Sequence, residues 1–269
     1  MKQRKMHLSS LYLAFVLVLM YLPVLMVVIY SFNDSKSDVS WAGFTLDWYG
    51  KMLHNSSLME ALRNSIVLAV SSCAISAVIG TIGAVGLVRC NFKTKGLLEN
   101  AAMLPIMIPE IILGMVFLAF FSFLNLPFGM MTLILAHTTF CIPYIFIVVK
   151  GRLVGIDKSI GEAARDLGAS EFRMFFDITL PLVAPAVASG TLLAFAMSLD
   201  DVVISFFVTG AQTNTLPIKI YSQIKLGVSP EINALCTVML VFTFILILIS
   251  GRVGKTRKNR TISKEEQRR

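Results

Sequence analysis

The sequence predicts an all-α protein that crosses a lipid bilayer six times with both ends on one side. Three observations carry this. Its 269 residues are 56% hydrophobic with a mean hydropathy of +0.76, too apolar for a soluble domain. Several apolar runs exceed the roughly 20 residues that a helix needs to cross about 30 Å of hydrocarbon. The net charge of +8 comes from basic residues at the ends of those runs, not from a stripe with interleaved aromatics, so it reads as a topology signal and not as a nucleic-acid footprint.

Residues 1–7 are short and basic, and residues 8–32 form an apolar run broken only by Ser, Tyr and Pro23. Its length and the lack of an evident small-residue cleavage site predict a retained first span. A polar loop follows over 33–63, with a short interfacial helix over 45–53 carrying Trp48 and Tyr49. The second span, about 62–88, places Ser72, Ser76, Gly80 and Ala84 at intervals of four. That small-residue face predicts the close approach of another helix.

The third span, about 97–124, contains Pro105 and Pro109, each lacking a backbone donor, and then Glu110. This predicts a broken helix with an acid at its break. The fourth covers about 128–149 and ends at Lys150 and Arg152. The fifth covers about 182–208 and carries Ser189, Ser198, Asp200, Asp201 and Ser205. The sixth covers about 234–250. The divisions expected are thus an N-terminus over 1–7, a membrane domain over 8–250 with a polar loop at 151–181, and a basic tail over 251–269.

Counted on alternate sides of six spans, 19 of the 24 lysines and arginines fall on one side; only Lys36, Lys51, Arg63, Lys219 and Lys225 fall on the other. Both termini and the 151–181 loop are therefore expected in the cytoplasm. That loop carries Glu162, Arg165, Asp166, Glu171, Arg173 and Asp177, which keep it out of the bilayer. It reads as two short helices, the first over 162–167, turning at Gly168, the second capped by Ser170 and ended by Pro181.

Charged groups inside a membrane are costly and mark pathways. Counted at about 1.5 Å per residue from the cytoplasmic ends of their helices, Glu110 would lie roughly 18 Å in, near mid-membrane, and Asp200 roughly 27 Å in, with the two Asp near the outer mouth. With no Lys or Arg inside the third and fifth spans, Glu110, Asp200 and Asp201 are candidates for holding a cation. Each has a plainer reading: the two Asp as caps of a helix break or partners of a sister subunit, Glu110 as a protonated acid packed at Pro109, and Trp48 as an interfacial anchor. Gly254, Lys255 and Thr256 look like the end of a phosphate-binding loop, but the first glycine would fall on Ile249 and no strand precedes it. His7, His54 and His137 are too scattered for a metal site, and Cys73, Cys90, Cys141 and Cys236 lack metal-like or paired spacing. No catalytic constellation is evident.

The loop also matches a motif. Glu162-Ala163-Ala164, three residues, Gly168, nine residues, then Ile178-Thr179-Leu180-Pro181 resembles the EAA loop in the membrane subunits of ATP-binding-cassette importers. The alternative is an ordinary amphipathic surface helix. Residues 197–210 and 216–235 further resemble PotC-type permeases of bacterial spermidine/putrescine importers. The resemblance implies a type I importer transmembrane domain in the bacterial inner membrane. It implies that Trp48, Glu110, Ser198, Asp200 and Asp201 serve polyamine uptake, with Glu171 also associated with it. Glu162, Ala163, Ala164, Gly168 and Glu171 would couple to the ATPase. At Glu110 the type member has Asp, so the reach of the side chain differs while its charge is kept. The implied partners are a second permease, two ATPase subunits and an extracytoplasmic polyamine-binding protein, with ATP and Mg held by the ATPase and no cofactor on this chain. An importer for sulfate or a ferric complex, and a stand-alone transporter with Glu110 and Asp201 as a proton relay, are the alternatives.

Overall fold

The computed structural model describes residues 2–35, 40–90, 93–224 and 230–244. In order the helices are α1 (Lys2–Tyr30), α2 (Asp47–His54), α3 (Ser56–Arg89), α4 (Lys95–Met107), α5 (Glu110–Phe123), α6 (Met130–Val154) and α7 (Lys158–Asp166). Then come α8 (Glu171–Asp200), α9 (Val203–Val208), α10 (Leu216–Ile224) and α11 (Pro230–Phe244). Among the described residues four stretches are long and apolar enough to cross a bilayer: Ser10–Tyr30, Ser56–Arg89, Met130–Val154 and Glu171–Asp200. The bent pair α4–α5 is a fifth candidate. The expected sixth span falls on α11 and on residues outside those described.

Several expected boundaries are corrected. Residues 56–63, expected in the first loop, are already helical in α3. Pro105 lies within α4, and the third span breaks only at Ile108–Pro109, where both residues are extended. Helix α6 runs on to Val154, so Lys150 and Arg152 lie inside it. Pro181 does not end the second loop helix, because α8 continues through it. A proline ring clashes with the carbonyl four residues back, here that of Asp177, and the wider π-helical turn over Met174–Thr179 relieves that clash. The Thr179 hydroxyl fills the opened turn by donating to the Met174 carbonyl at 2.9 Å.

The chain forms two compact units, residues 1–59 with 223–269, and residues 60–222. In the first, α1 turns its apolar side chains outward, Leu11, Tyr12 and Phe15 among them, as a helix surrounded by lipid does. Buried Asn33 organises the segment after α1. Its side chain donates to the Ser40 carbonyl at 2.7 Å and accepts from the Ala42 amide at 2.8 Å. Asn55 Nδ2 donates to Glu231 Oε2 at 2.8 Å and so ties the start of α3 to α11.

In the second unit α6 is the central helix, with Leu133, Ala136, His137, Cys141, Ile145 and Val149 fully buried. The small face of α3 meets it as expected: Ser72, Ser76, Gly80 and Ala84 are all buried, and Ser76 Oγ donates to the Thr138 carbonyl at 2.9 Å. On α8, Gly190 approaches the same helix so closely that an added Cβ would stand 3.0 Å from Ile145 Cα. Small residues on both neighbours let backbones pack where lipid provides no hydrophobic drive between helices.

Candidate functional site

Two interrupted helices build the site. Between α4 and α5 the path turns by 106°, and Glu110 opens α5. A carboxylate there sits where the helix dipole favours negative charge. Between α8 and α9 the chain is extended at Asp201. Its Oδ1 accepts from the Ile204 amide at 3.1 Å and its Oδ2 from the Ser205 amide at 2.8 Å, so the side chain replaces the backbone acceptors lost at the break. Helix α9 is held on α5 by Gly114, whose missing Cβ would lie 2.6 Å from Phe207 Cδ2. It is held on α6 by Thr132 Oγ1, which donates to the Val208 carbonyl at 2.9 Å.

The two breaks face one cavity of about 230 Å³. Glu110, Asp200 and Asp201 line it, together with Phe140, Tyr144, Met197 and apolar residues of both breaks. Among the described residues no Lys or Arg lines it. Helix counting placed Glu110 and the two Asp at different depths; the structure brings all three to the lining of one cavity. Glu110 and Asp200 are exposed, whereas the Asp201 side chain is 5% exposed.

Asp201 is also less isolated than its own span suggested. His137, fully buried on α6, places Nε2 3.4 Å from Asp201 Oδ2 and 2.9 Å from Ser205 Oγ, and Nδ1 2.8 Å from Ser198 Oγ. Ser198 is therefore buried behind the break and is not among the residues lining the cavity. Trp48 belongs to the other unit. It is 7% exposed, its indole N–H donates to the Asn33 carbonyl at 2.7 Å, and the Lys51 ammonium lies 4.1 Å from its ring centroid. Its free polar group and one ring face are thus already engaged within the chain. Sequence reading passed over His137 as a metal ligand only; the signal available was an ionisable residue deep in an apolar run.

The polar loop is a second surface. Asp157 caps α7 by accepting from the Ser159 amide at 2.9 Å, a bond that holds its carboxyl below the usual carboxylate range. Helix α7 ends on Gly168 at φ +79°, with Gly168 N–H donating to the Arg165 carbonyl at 2.8 Å and Ala169 N–H to the Ala164 carbonyl at 3.0 Å. These two bonds are the Schellman arrangement. Ser170 caps the next helix by accepting from the Arg173 amide. Glu162, Ala163 and Glu171 are exposed and Ala164 is buried, while Arg165 Nε bonds Glu171 Oε1 at 2.7 Å. Leu167 and Phe172 are 88% and 73% exposed on either side of the turn, an apolar pair bared at a polar loop.

An all-helical chain with several apolar spans, broken around an acid-lined cavity, defines a multi-pass membrane transport protein. Residues 76–257 match the family described as binding-protein-dependent transport system inner membrane component. The chain is 41% identical over 236 residues to the spermidine/putrescine transport system permease protein PotC of Escherichia coli (strain K12), covering 88% of this chain and 89% of that one. It is 43% identical over 250 residues to the putrescine transport system permease protein PotI of the same strain, again over 88% and 89%. Among solved structures, one chain of a bacterial ABC transporter that imports alginate superposes with a TM-score of 0.74 at 16% identity, over 94% of this chain and 96% of that one. A chain of the MetNI methionine ABC transporter gives 0.60 at 18% identity, over 78% and 97%. These two share the fold. This chain belongs to the family of inner membrane components of binding-protein-dependent transport systems.

Proposed function

We propose that the chain is the permease subunit of an ATP-driven importer that carries the polyamines spermidine and putrescine inward. The observation that carries this reading is the gathering of Glu110, Asp200 and Asp201 around one cavity walled by Phe140, Tyr144 and Met197. A polyamine presents ammonium groups separated by methylene chains. Carboxylates bind the former by charge-assisted hydrogen bonds, and aromatic and apolar walls accommodate the latter. The names of the relatives supply independent support. A sulfate importer would require basic or hydroxyl-rich lining in place of acids.

In this reading ATP and Mg are held by two separate ATPase subunits. Glu162, Ala163, Ala164, Gly168 and Glu171 form the loop that docks on one of them, with Leu167 and Phe172 as its apolar contacts. A second permease completes the path, and an extracytoplasmic binding protein delivers substrate. Both termini and the loop face the cytoplasm of a bacterial inner membrane. Trp48 and Ser198 serve the path indirectly, Trp48 by anchoring the segment at Asn33 and Ser198 through His137. The test is uptake of radiolabelled putrescine and spermidine into proteoliposomes holding the whole complex, with ATP on the ATPase side and binding protein on the other. ATP-dependent uptake of either polyamine supports the reading; ATP-independent uptake driven by a pH gradient, or no uptake beside active transport of another solute, overturns it.

A further inference from the structure

Three carboxylates line the cavity, yet they are not equivalent. Both oxygens of Asp201 are committed: Oδ1 to the Ile204 amide, and Oδ2 to the Ser205 amide and the nearby His137 Nε2. Glu110 and Asp200 are exposed, and among the described residues neither carboxylate has a hydrogen-bond partner. His137 is fully buried and both ring nitrogens are engaged. One donation pattern that satisfies the cluster has Ser198 Oγ–H donating to Nδ1 and Nε2–H donating to Ser205 Oγ with Asp201 Oδ2 alongside. This imidazole joins three positions of the fifth span, one before the break, one at it and one after.

We propose that His137 is a positioning residue of the translocation path. From α6 it pins both sides of the break between α8 and α9 and fixes Asp201 as a bracket, which leaves Glu110 and Asp200 as the carboxylates that meet the transported cation. Asp200 directly precedes the bracketed residue, so its direction into the cavity depends on the break holding its shape. The inference rests on the polyamine reading for the nature of the cargo and on the geometry of the break for the role of His137.

The test compares His137→Gln, His137→Asn and His137→Leu in the assembled complex. A glutamine amide nitrogen reaches about where Nε2 stands and keeps the donor toward Ser205 and Asp201; asparagine reaches only the Ser198 side, and leucine neither. Two readouts are taken: KM and maximal rate of polyamine uptake, and amide hydrogen exchange across residues 201–208 in the purified complex. The expected result is a KM raised about tenfold in His137→Leu and His137→Asn and close to native in His137→Gln, with faster exchange of the 201–208 amides in the first two alone. In an Asp201→Asn background, His137→Leu should add little further change in KM. Glu110→Gln and Asp200→Asn should raise KM without changing the exchange. Native KM and exchange in His137→Asn and His137→Leu, or equal damage by Gln and Leu, would overturn the positioning role. If His137→Leu fails to insert, the contrast between Gln and Asn decides. Hydrogen exchange reads the bracket without any cargo, so absence of polyamine uptake with the exchange pattern intact would refute the cargo and spare the bracket.

Discussion

Gly190 and Ile145 set the spacing of the two helices at the centre of the larger unit: a methyl added at Gly190 would stand 3.0 Å from the Ile145 Cα and 3.4 Å from the Val148 Cβ. Backbone cannot yield as a side-chain tip does. Gly190→Val should therefore push α8 from α6 and destabilise the subunit by about 1–3 kcal/mol, the range for overpacking a tight core. A lowered thermal midpoint of the detergent-purified complex checks this. Gly83→Ala is the control, since its added Cβ meets nothing nearer than 3.9 Å.

Gly168 has the opposite problem. Nothing lies within 4 Å of its missing Cβ, but its φ of +79° is strained for any side chain, at a cost of roughly 1–2 kcal/mol. Gly168→Val should distort the Schellman turn and reduce co-purification of the ATPase and transport together, while insertion is normal. Gly168→Asn, which tolerates this conformation, should lose much less. Equal behaviour of the two variants would show that the turn is not what positions the loop.

Glu110→Gln and Asp200→Asn keep side-chain size and remove charge. Each should weaken the hold on a passing ammonium by roughly 1.5–3 kcal/mol, the value of a hydrogen bond to a charged group. That corresponds to about tenfold or more in the apparent affinity of uptake. Pull-down of the whole complex should be unchanged. Asp201→Asn differs in kind, because an amide NH₂ would face backbone donors at Ile204 or Ser205, so a loss of uptake is expected together with loosening of α9.

Orientation is tested by accessibility. A single cysteine at Gln212, in a cysteine-free background, should react with an impermeant reagent from outside intact cells, and one at Ser159 should not. Ser37, expected on the same outer side as Gln212, lies outside the described residues. Labelling at Ser159 in intact cells would reverse the proposed topology.

Lowering the pH should loosen the start of α7. The Asp157 carboxyl titrates below its unfolded value because the ionised form accepts from Ser159. Its contribution is therefore present above the unfolded pKa and is lost as pH falls through the lower folded one. Asp157→Asn keeps a capping oxygen without the titration, so the protection of the first α7 amides, measured against the intrinsic exchange rate at each pH, should fall in acid in the native chain and stay level in the variant.

Local chemistry was enough to make several features legible. The small face of α3 followed from spacing alone, since Ser72, Ser76, Gly80 and Ala84 share one side of any helix. The turn at Gly168 and the cap at Ser170 followed because both are decided within a few residues of backbone. A break in the third span was legible from Pro105 and Pro109 with Glu110 beside them, but not which proline makes it, since α4 continues through Pro105 and the helix stops only at Ile108–Pro109. What the sequence could not state was which distant groups meet. Glu110 shares a cavity with Asp200 only because the two spans break and α5 packs on α9 through Gly114 and Phe207. His137 becomes a partner of Asp201 only because α6 packs against the break between α8 and α9. The engagement of Trp48 with Asn33 likewise depends on how the chain folds back after α1. Periodicity reports what one helix presents, whereas a site shared by several helices is set by bends and crossings, which are decided by packing across the whole fold.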